Sequence, residues 1–193
     1  MDFLDASFTF MSRIDEIEMN IKDKRWQSSL ALALTIPDIC GGIAYPDLVK
    51  RYRDGRIKYD SNKRTSRDVG AQYMRWFDDY ASLYFMNDDK PYICGKRCWQ
   101  LRCEYLHQNK GFVNDGDEVH FHLGVNCGTS VCNFESKDNE IRIDIEQFCI
   151  RMCNAGRAFY EMYKDVYDFS MYNTPVLEVV KEKTFFKKLF GGR

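Results

Sequence analysis

The sequence predicts a mainly α protein: a helical bundle with a small antiparallel β insertion at about 118–145. Three observations carry that expectation. Its 12 Gly and 4 Pro make up about 8% of the chain, against roughly 12% in average usage, which disfavours turn-dense all-β architectures. Apolar residues recur at spacings of three, four and seven through most of the length, the period of a helix face. Only between Glu118 and Ile145 does the period fall to two.

The first helix is expected over Phe3 to Ile21, where Phe3, Phe10, Ile14, Ile17 and Ile21 share a face between acids and Asn. A second runs from about Trp26 to Thr35 and stops at Ile36-Pro37, because a residue before proline is pushed out of the helical region. Cys40-Gly41-Gly42 then reads as a turn. Residues 46 to 67 read as a short helical piece followed by an exposed polar connection, marked by Asp54-Gly55 and Asp60-Ser61-Asn62. From Ser66 to about Phe85, Val69, Tyr73, Trp76, Phe77, Tyr80 and Tyr84 define one strong amphipathic helix whose aromatic stripe is core. After a turn at Asn87-Asp88-Asp89-Lys90-Pro91, a helix is expected from about Gly95 to Gln108, closed by Asn109-Lys110-Gly111. Val119 to Leu123 and Ile141 to Ile145 alternate as strands, and a last long helix spans about Ile145 to Tyr167. The reading finds no internal repeat. It gives one domain over 1–183 and a basic-aromatic tail over 184–193.

A chain of 193 residues, 45% hydrophobic and 15% aromatic, can bury enough surface to offset its ordering as one unit. With 28 Lys and Arg against 29 Asp and Glu, it is not a uniformly basic coat for nucleic acid, so any such contact must be local. Its longest clean apolar run, Leu30 to Ile36, is far below the roughly 20 residues of a membrane span. Met1-Asp2-Phe3-Leu4-Asp5 lacks a secretion signal's basic start, so a cytoplasmic location and no membrane partner are expected. The eight cysteines are accordingly expected as reduced thiols, with the pairs Cys94/Cys98 and Cys149/Cys153 on helix faces.

The segment Trp99-Gln100-Leu101-Arg102-Cys103-Glu104-Tyr105-Leu106-His107-Gln108 holds an Arg and one of only three His residues. On an ideal helix they stand about 140° apart and about 7.5 Å along the axis. To serve one phosphodiester, His107 must sit where the helix ends, or a second copy must complete the pocket. Neutral His107 would take the proton of a ribose 2′-hydroxyl. Arg102 would hold the phosphate and stabilise its growing charge, with Glu104 or Asp38 orienting the pair.

Here the sequence resembles the HEPN superfamily, helical proteins defined by an Arg, four to six residues and a His. Arg102-Cys103-Glu104-Tyr105-Leu106-His107 has that form, and with Leu101 and Gln108 it is similar to an uncharacterised bacterial branch. It departs at Cys103, where members usually carry Asn, Asp or His. The resemblance implies a metal-independent endoribonuclease without cofactor. It further implies a homodimer acting as a toxin or anti-phage effector beside an antitoxin or defence partner. The alternative is an inactive HEPN-like binding or assembly subunit.

RNA attraction is expected from Lys50 to Arg67, where eight basic residues face only Asp54 and Asp60. Arg51, Arg53, Arg56, Lys58, Lys63, Arg64 and Arg67 would contact phosphates, and Tyr59 would stack on unpaired bases. His120, His122, Cys127 and Cys132 fit no standard zinc spacing and are read as part of a β-hairpin, with no metal.

Overall fold

A computed structural model describes residues 9–107, 119–131 and 139–169. In chain order these form α1 (Phe10–Lys22), α2 (Trp26–Ala33), α3 (Ile36–Ala44) and α4 (Val69–Trp76). A π turn (Phe77–Ala81) and a 3-10 turn (Ser82–Phe85) follow, then the hairpin strands β1 (Met86–Asn87) and β2 (Lys90–Pro91). The chain continues through α5 (Gly95–His107), β3 (Val119–Gly124), β4 (Ser130–Val131), β5 (Asn139–Asp144) and α6 (Ile145–Tyr163). The first predicted helix is thus described from Phe10 onward, and residues 1–8 and the 184–193 tail lie outside the described residues.

Local sequence explains the helix starts. Thr9 and Ser12 cap α1 reciprocally, each side chain accepting from the other's backbone N–H. Asp68 caps α4 through Ala71 N–H, and Asp144 caps α6 through Gln147 N–H. Asp144 is buried as the last residue of β5 and also accepts from Cys127 N–H at 2.9 Å, so one carboxylate joins strand, loop and helix. The first N–H of α5, on Gly95, is satisfied from another element, the Asp78 carboxylate at 2.7 Å.

The helices enclose an aromatic core. Phe159 of α6 meets Trp76 edge-on at 5.7 Å, and Phe85 packs between Phe77 at 5.0 Å and Phe148 at 5.2 Å. All five rings are buried, as are Ile14 and Ile17 of α1 and Leu30 of α2.

Three expectations about the helices are corrected. The helix from Trp26 does end before Ile36-Pro37, but a new one, α3, starts at Ile36 with Pro37 in its first turn, where the missing N–H is not needed. Cys40-Gly41-Gly42 is therefore helical, not a turn. Its glycines serve packing: a Cβ on Gly41 would lie 2.5 Å from the carbonyl oxygen of Gln72, so α3 and α4 approach backbone to backbone. The helix expected through Phe85 leaves α geometry at Phe77, where the π turn gives three neighbours separate tasks. Asp78 caps α5, Asp79 accepts from the Tyr45 hydroxyl, and Tyr80 shares a 3.2 Å hydrogen bond with Tyr163.

The β insertion is mixed, not antiparallel: its order is β3-β5-β4, with β3 parallel to β5 from Val119↔Asn139 to Gly124↔Asp144. Only β4 pairs antiparallel with β5. Alternation marks a strand but not its direction, and residues 125–138 are long enough for the crossover that a parallel pair requires.

Residues 46–67 hold no helix. They form a ribbon whose bridges are Val49↔Arg67, Arg51↔Ile57 and Tyr59↔Thr65. Three backbone hydrogen bonds close it into a ring: Lys58 N–H to Lys50 O at 2.8 Å, Ser66 N–H to Lys58 O at 2.9 Å, and Lys50 N–H to Ser66 O at 2.7 Å. The geometry repeats every eight residues. Tyr52 N–H donates to Arg56 O as Asp60 N–H does to Arg64 O, both at 2.8 Å, and Gly55 and Lys63 take equivalent left-handed conformations. A structural repeat is present where the sequence reading finds none.

The seven described cysteines carry free thiols, and Cys132 lies outside the described residues. Cys40, Cys98, Cys149 and Cys153 are buried, whereas Cys94 precedes α5 and is exposed, so it shares no helix face with Cys98. Burial pushes the buried thiols up, Cys153 to about 12, because a thiolate loses hydration in the core. Above roughly pH 8.5 the unfolded chain loses these protons while the folded chain keeps them. The contribution of these thiols to stability is therefore constant below that pH and falls above it, by up to about 1.4 kcal/mol per pH unit per thiol.

Two outcomes are expected. Urea unfolding at pH 8 and pH 10 will show lower stability at pH 10, and Cys153→Ala will reduce that difference. Gly41→Ala, worth about 1 kcal/mol of helix propensity at an open site, will instead destabilise by more than about 2 kcal/mol in the same assay, because its methyl group meets the α4 backbone.

Candidate functional site

Arg102, in the second half of α5, reaches across to Asp38 in the first turn of α3. Its Nε and Nη2 donate to Asp38 Oδ2 at 3.2 and 3.0 Å, with the two side chains 17% and 20% exposed. One turn earlier, the Trp99 ring lies 5.0 Å from the guanidinium carbon. Trp99 in turn meets Tyr73 edge-on at 5.1 Å, and Gly70 leaves room for it, since a Cβ there would be 3.3 Å from the ring. The guanidinium plane is thus fixed by a carboxylate at its edge and an indole beside it.

Beneath the pair, the Tyr73 hydroxyl and the Cys98 thiol share a buried 3.3 Å contact. Burial raises both groups, and the Asp38 carboxylate raises them further, keeping both protonated. Cys103, half-buried beside the pair, is also raised by burial, while Arg102 pulls it back. It therefore presents a neutral thiol next to the guanidinium at neutral pH.

A second guanidinium arrives from the ribbon. Arg67 Nη2 donates to the backbone oxygen of Asp38 at 3.0 Å, and its Nε donates to Gln72 Oε1 at 2.9 Å. Gln72 is buried, and its amide nitrogen donates to Tyr45 O and Leu48 O at 2.8 and 3.0 Å. The root of the ribbon therefore sits on the same turn of α3 that holds Arg102.

The structure brings Arg102 and Asp38 together and leaves Glu104 apart. Two residues past Arg102, Glu104 lies about 200° around the helix. It is exposed, its carboxyl is raised by burial, and the charge it feels is that of His120. The structure describes α5 as far as His107, whose side chain lies outside the described residues.

The ribbon side chains divide by environment. Arg56 pairs with Asp54 at 2.8 Å and Arg64 with Asp60 at 3.3 Å, while Arg51 Nη1 donates to Gly55 O at 3.0 Å. Hydrogen bonds from Arg64 and Asn62 N–H hold Asp60 below the usual carboxylate range. Arg56 and Lys58 lie 5.7 and 5.0 Å from the Tyr52 ring centroid. Tyr59 is 59% exposed, and Lys50, Arg53 and Lys63 are exposed with no ion pair among the described residues. Arg67, although exposed, spends its guanidinium on acceptors of α3 and α4.

Sequence reasoning missed Trp99, Gln72 and the joint made by Arg67. A polar Gln on the apolar face of α4 and the pair Gly41-Gly42 in an apolar stretch were the available signals. Elsewhere, His120 and His122 are exposed on β3, with His122 Nε2 3.6 Å from Glu140. No three metal-ligating side chains converge among the described residues. A cavity of about 390 Å³ opens between α1 and the end of α6, lined by Phe10, Tyr160, Tyr167 and Phe169, away from the Arg102 cluster.

Among the described residues no helix is long and apolar enough to cross a membrane. Compared with family models, curated proteins and solved structures, the chain finds no match in any of the three.

Asp38→Asn will leave Arg102 with a neutral acceptor in a half-buried site. The expected loss is about 2 kcal/mol, read as a Tm lower by roughly 4–8 °C.

Proposed function

We propose that this protein is a metal-independent endoribonuclease of HEPN type in which Arg102 and His107 act on one phosphodiester. The observation that carries the reading is the half-buried fork of Arg102 on Asp38 beside the root of a ribbon with net charge +6 over Lys50 to Arg67. Catalysis at phosphate needs a cation fixed before the substrate arrives, since reorienting it during reaction would add to the barrier. Asp38 and Trp99 supply that fixation.

In this reading Arg102 stabilises charge on the equatorial phosphate oxygens, and neutral His107 accepts the 2′-hydroxyl proton. The oxygen so released attacks the adjacent phosphorus, the bond to the 5′-oxygen breaks, that oxygen takes a proton from water, and the imidazolium returns its own proton to solvent. The products are a 2′,3′-cyclic phosphate and a 5′-hydroxyl end. Asp38 orients the guanidinium, and Arg53, Lys63 and Tyr59 hold the RNA. A homodimer restrained by an antitoxin or defence partner completes the proposal.

A second reading is favoured by one observation. Two of the Arg102 nitrogens already serve Asp38, the arrangement of a lock between helices. On that reading the chain is an inactive HEPN-like binding or assembly subunit, and the ribbon alone meets RNA.

Purified protein incubated with RNA in EDTA separates the two. The nuclease reading expects cleavage that falls at least about 100-fold in both Arg102→Ala and His107→Ala. Absence of cleavage by the wild type, or full cleavage by either variant, overturns it. Arg53→Ala with Lys63→Ala should weaken RNA binding and reduce its salt slope by roughly 1 to 2, the signature of lost phosphate contacts.

A further inference from the structure

We infer that Arg67 is a positioning residue, not a phosphate contact: it locks the ribbon to α3 and through Asp38 sets the orientation of Arg102. Geometry separates it from the other ribbon cations. Arg67 is the last paired residue of the ribbon, opposite Val49, and Asp68 N–H closes the root on Leu48 O at 3.0 Å. Its guanidinium is directed at α3 and α4, with two nitrogens engaged by Asp38 O and Gln72 Oε1.

The acceptor is itself rigid. Gln72 is fully buried, and its amide makes three hydrogen bonds, one from Arg67 and two to carbonyls on either side of the α3-to-ribbon connection. The seat is prepared on the other side by Gly42. A Cβ there would stand 2.1 Å from Arg67 Nη2 and 2.6 Å from its guanidinium carbon, so a side chain at 42 would push the guanidinium out of this position. Arg67 fills the notch and grips the backbone of Asp38, whose carboxylate holds Arg102. Displacing Arg67 removes the ribbon's hold on the first turn of α3, which is otherwise kept by the buried Ile36 and Pro37, and any shift of that turn moves the carboxylate that aligns Arg102.

The kinetic consequence rests on the ribonuclease reading; the structural one does not. The test follows the Arg102 Nε–H proton by 15N-edited NMR, its signal assigned by its loss in Arg102→Ala. In the wild type it is expected to exchange slowly with water. In Arg67→Gln, Arg67→Lys and Gly42→Ala its exchange should rise at least tenfold, while in Arg53→Ala with Lys63→Ala it should not change. The lysine variant keeps the charge but cannot make both bonds, which separates positioning from net charge.

With RNA, Arg67→Gln should lower kcat about tenfold while KM and the salt slope of binding stay within twofold and 0.3 of wild type. Should Gly42→Ala fail to fold, the two Arg67 variants decide alone. Unchanged Arg102 exchange in both Arg67 variants overturns the inference. So does a salt slope that falls by about 1 in Arg67→Gln, which would make Arg67 a phosphate contact. A wild type that neither binds nor cleaves RNA removes the ribonuclease reading and leaves the exchange result to decide the positioning role.

Discussion

The close approach of α3 to α4 governs everything around the candidate site. Two glycines permit it: Gly41 lets the Gln72 carbonyl come within the space of a side chain, and Gly42 leaves the gap that the Arg67 guanidinium fills. A helix with two adjacent glycines gives up about 2 kcal/mol of propensity. That cost is offset by what the approach creates: a buried Gln72 whose amide is fully engaged, and a ribbon root held by side chain and backbone together. Remove the approach, and Asp38, Arg67 and Arg102 lose their common reference frame.

Burial then decides which charges are fixed and which are mobile. Arg102 and Asp38, each about one-fifth exposed, are screened little by salt and hold a defined geometry. The ribbon cations sit in water, where an ion pair such as Arg56 with Asp54 contributes well under 1 kcal/mol and rearranges easily. This division suits two different tasks, since attraction of a polyanion tolerates mobile charge whereas stabilising a transition state does not. The ribbon's own carboxylates, Asp54 and Asp60, shape its two hairpin tips and still leave it strongly positive.

The helical class, the long helix beginning at Ile145 and the strands near 119–124 and 139–144 were legible because each rests on hydrophobic period, a property carried within one segment. Strand direction was not legible, since β3 pairs parallel with a segment reached only after residues 125–138. Pro37 misled for a similar reason: the same residue ends one helix and begins another, and which it does depends on what packs beyond it. The ribbon's eight-residue repeat lies in backbone hydrogen bonds at Lys50, Lys58 and Ser66, and its trace in the sequence is partial: Lys50 recurs as Lys58 and Arg56 as Arg64, but Tyr52 and Gly55 are answered by Asp60 and Lys63. The sequence offered Glu104 or Asp38 as the partner of Arg102 without separating them; the structure gives the place to Asp38, and Glu104, though closer in sequence, lies about 200° around the helix.

The position of Arg102 within α5 constrains any chemistry done there. Residue 102 is held against α3, so the helix cannot rotate to bring residue 107 onto the same face without breaking the fork on Asp38. Five residues of ideal helix leave the two side chains about 140° apart. For the proposed pair to act within one protomer, residue 107 would have to stand where helical geometry has ended, and to act between protomers the two α5 helices would have to face each other around a two-fold axis. On the ribonuclease reading the member fixed in advance is Arg102. A substrate drawn in by the ribbon would then meet an electrostatic anchor that Asp38 has already set, and the base would be the group still to be brought to it.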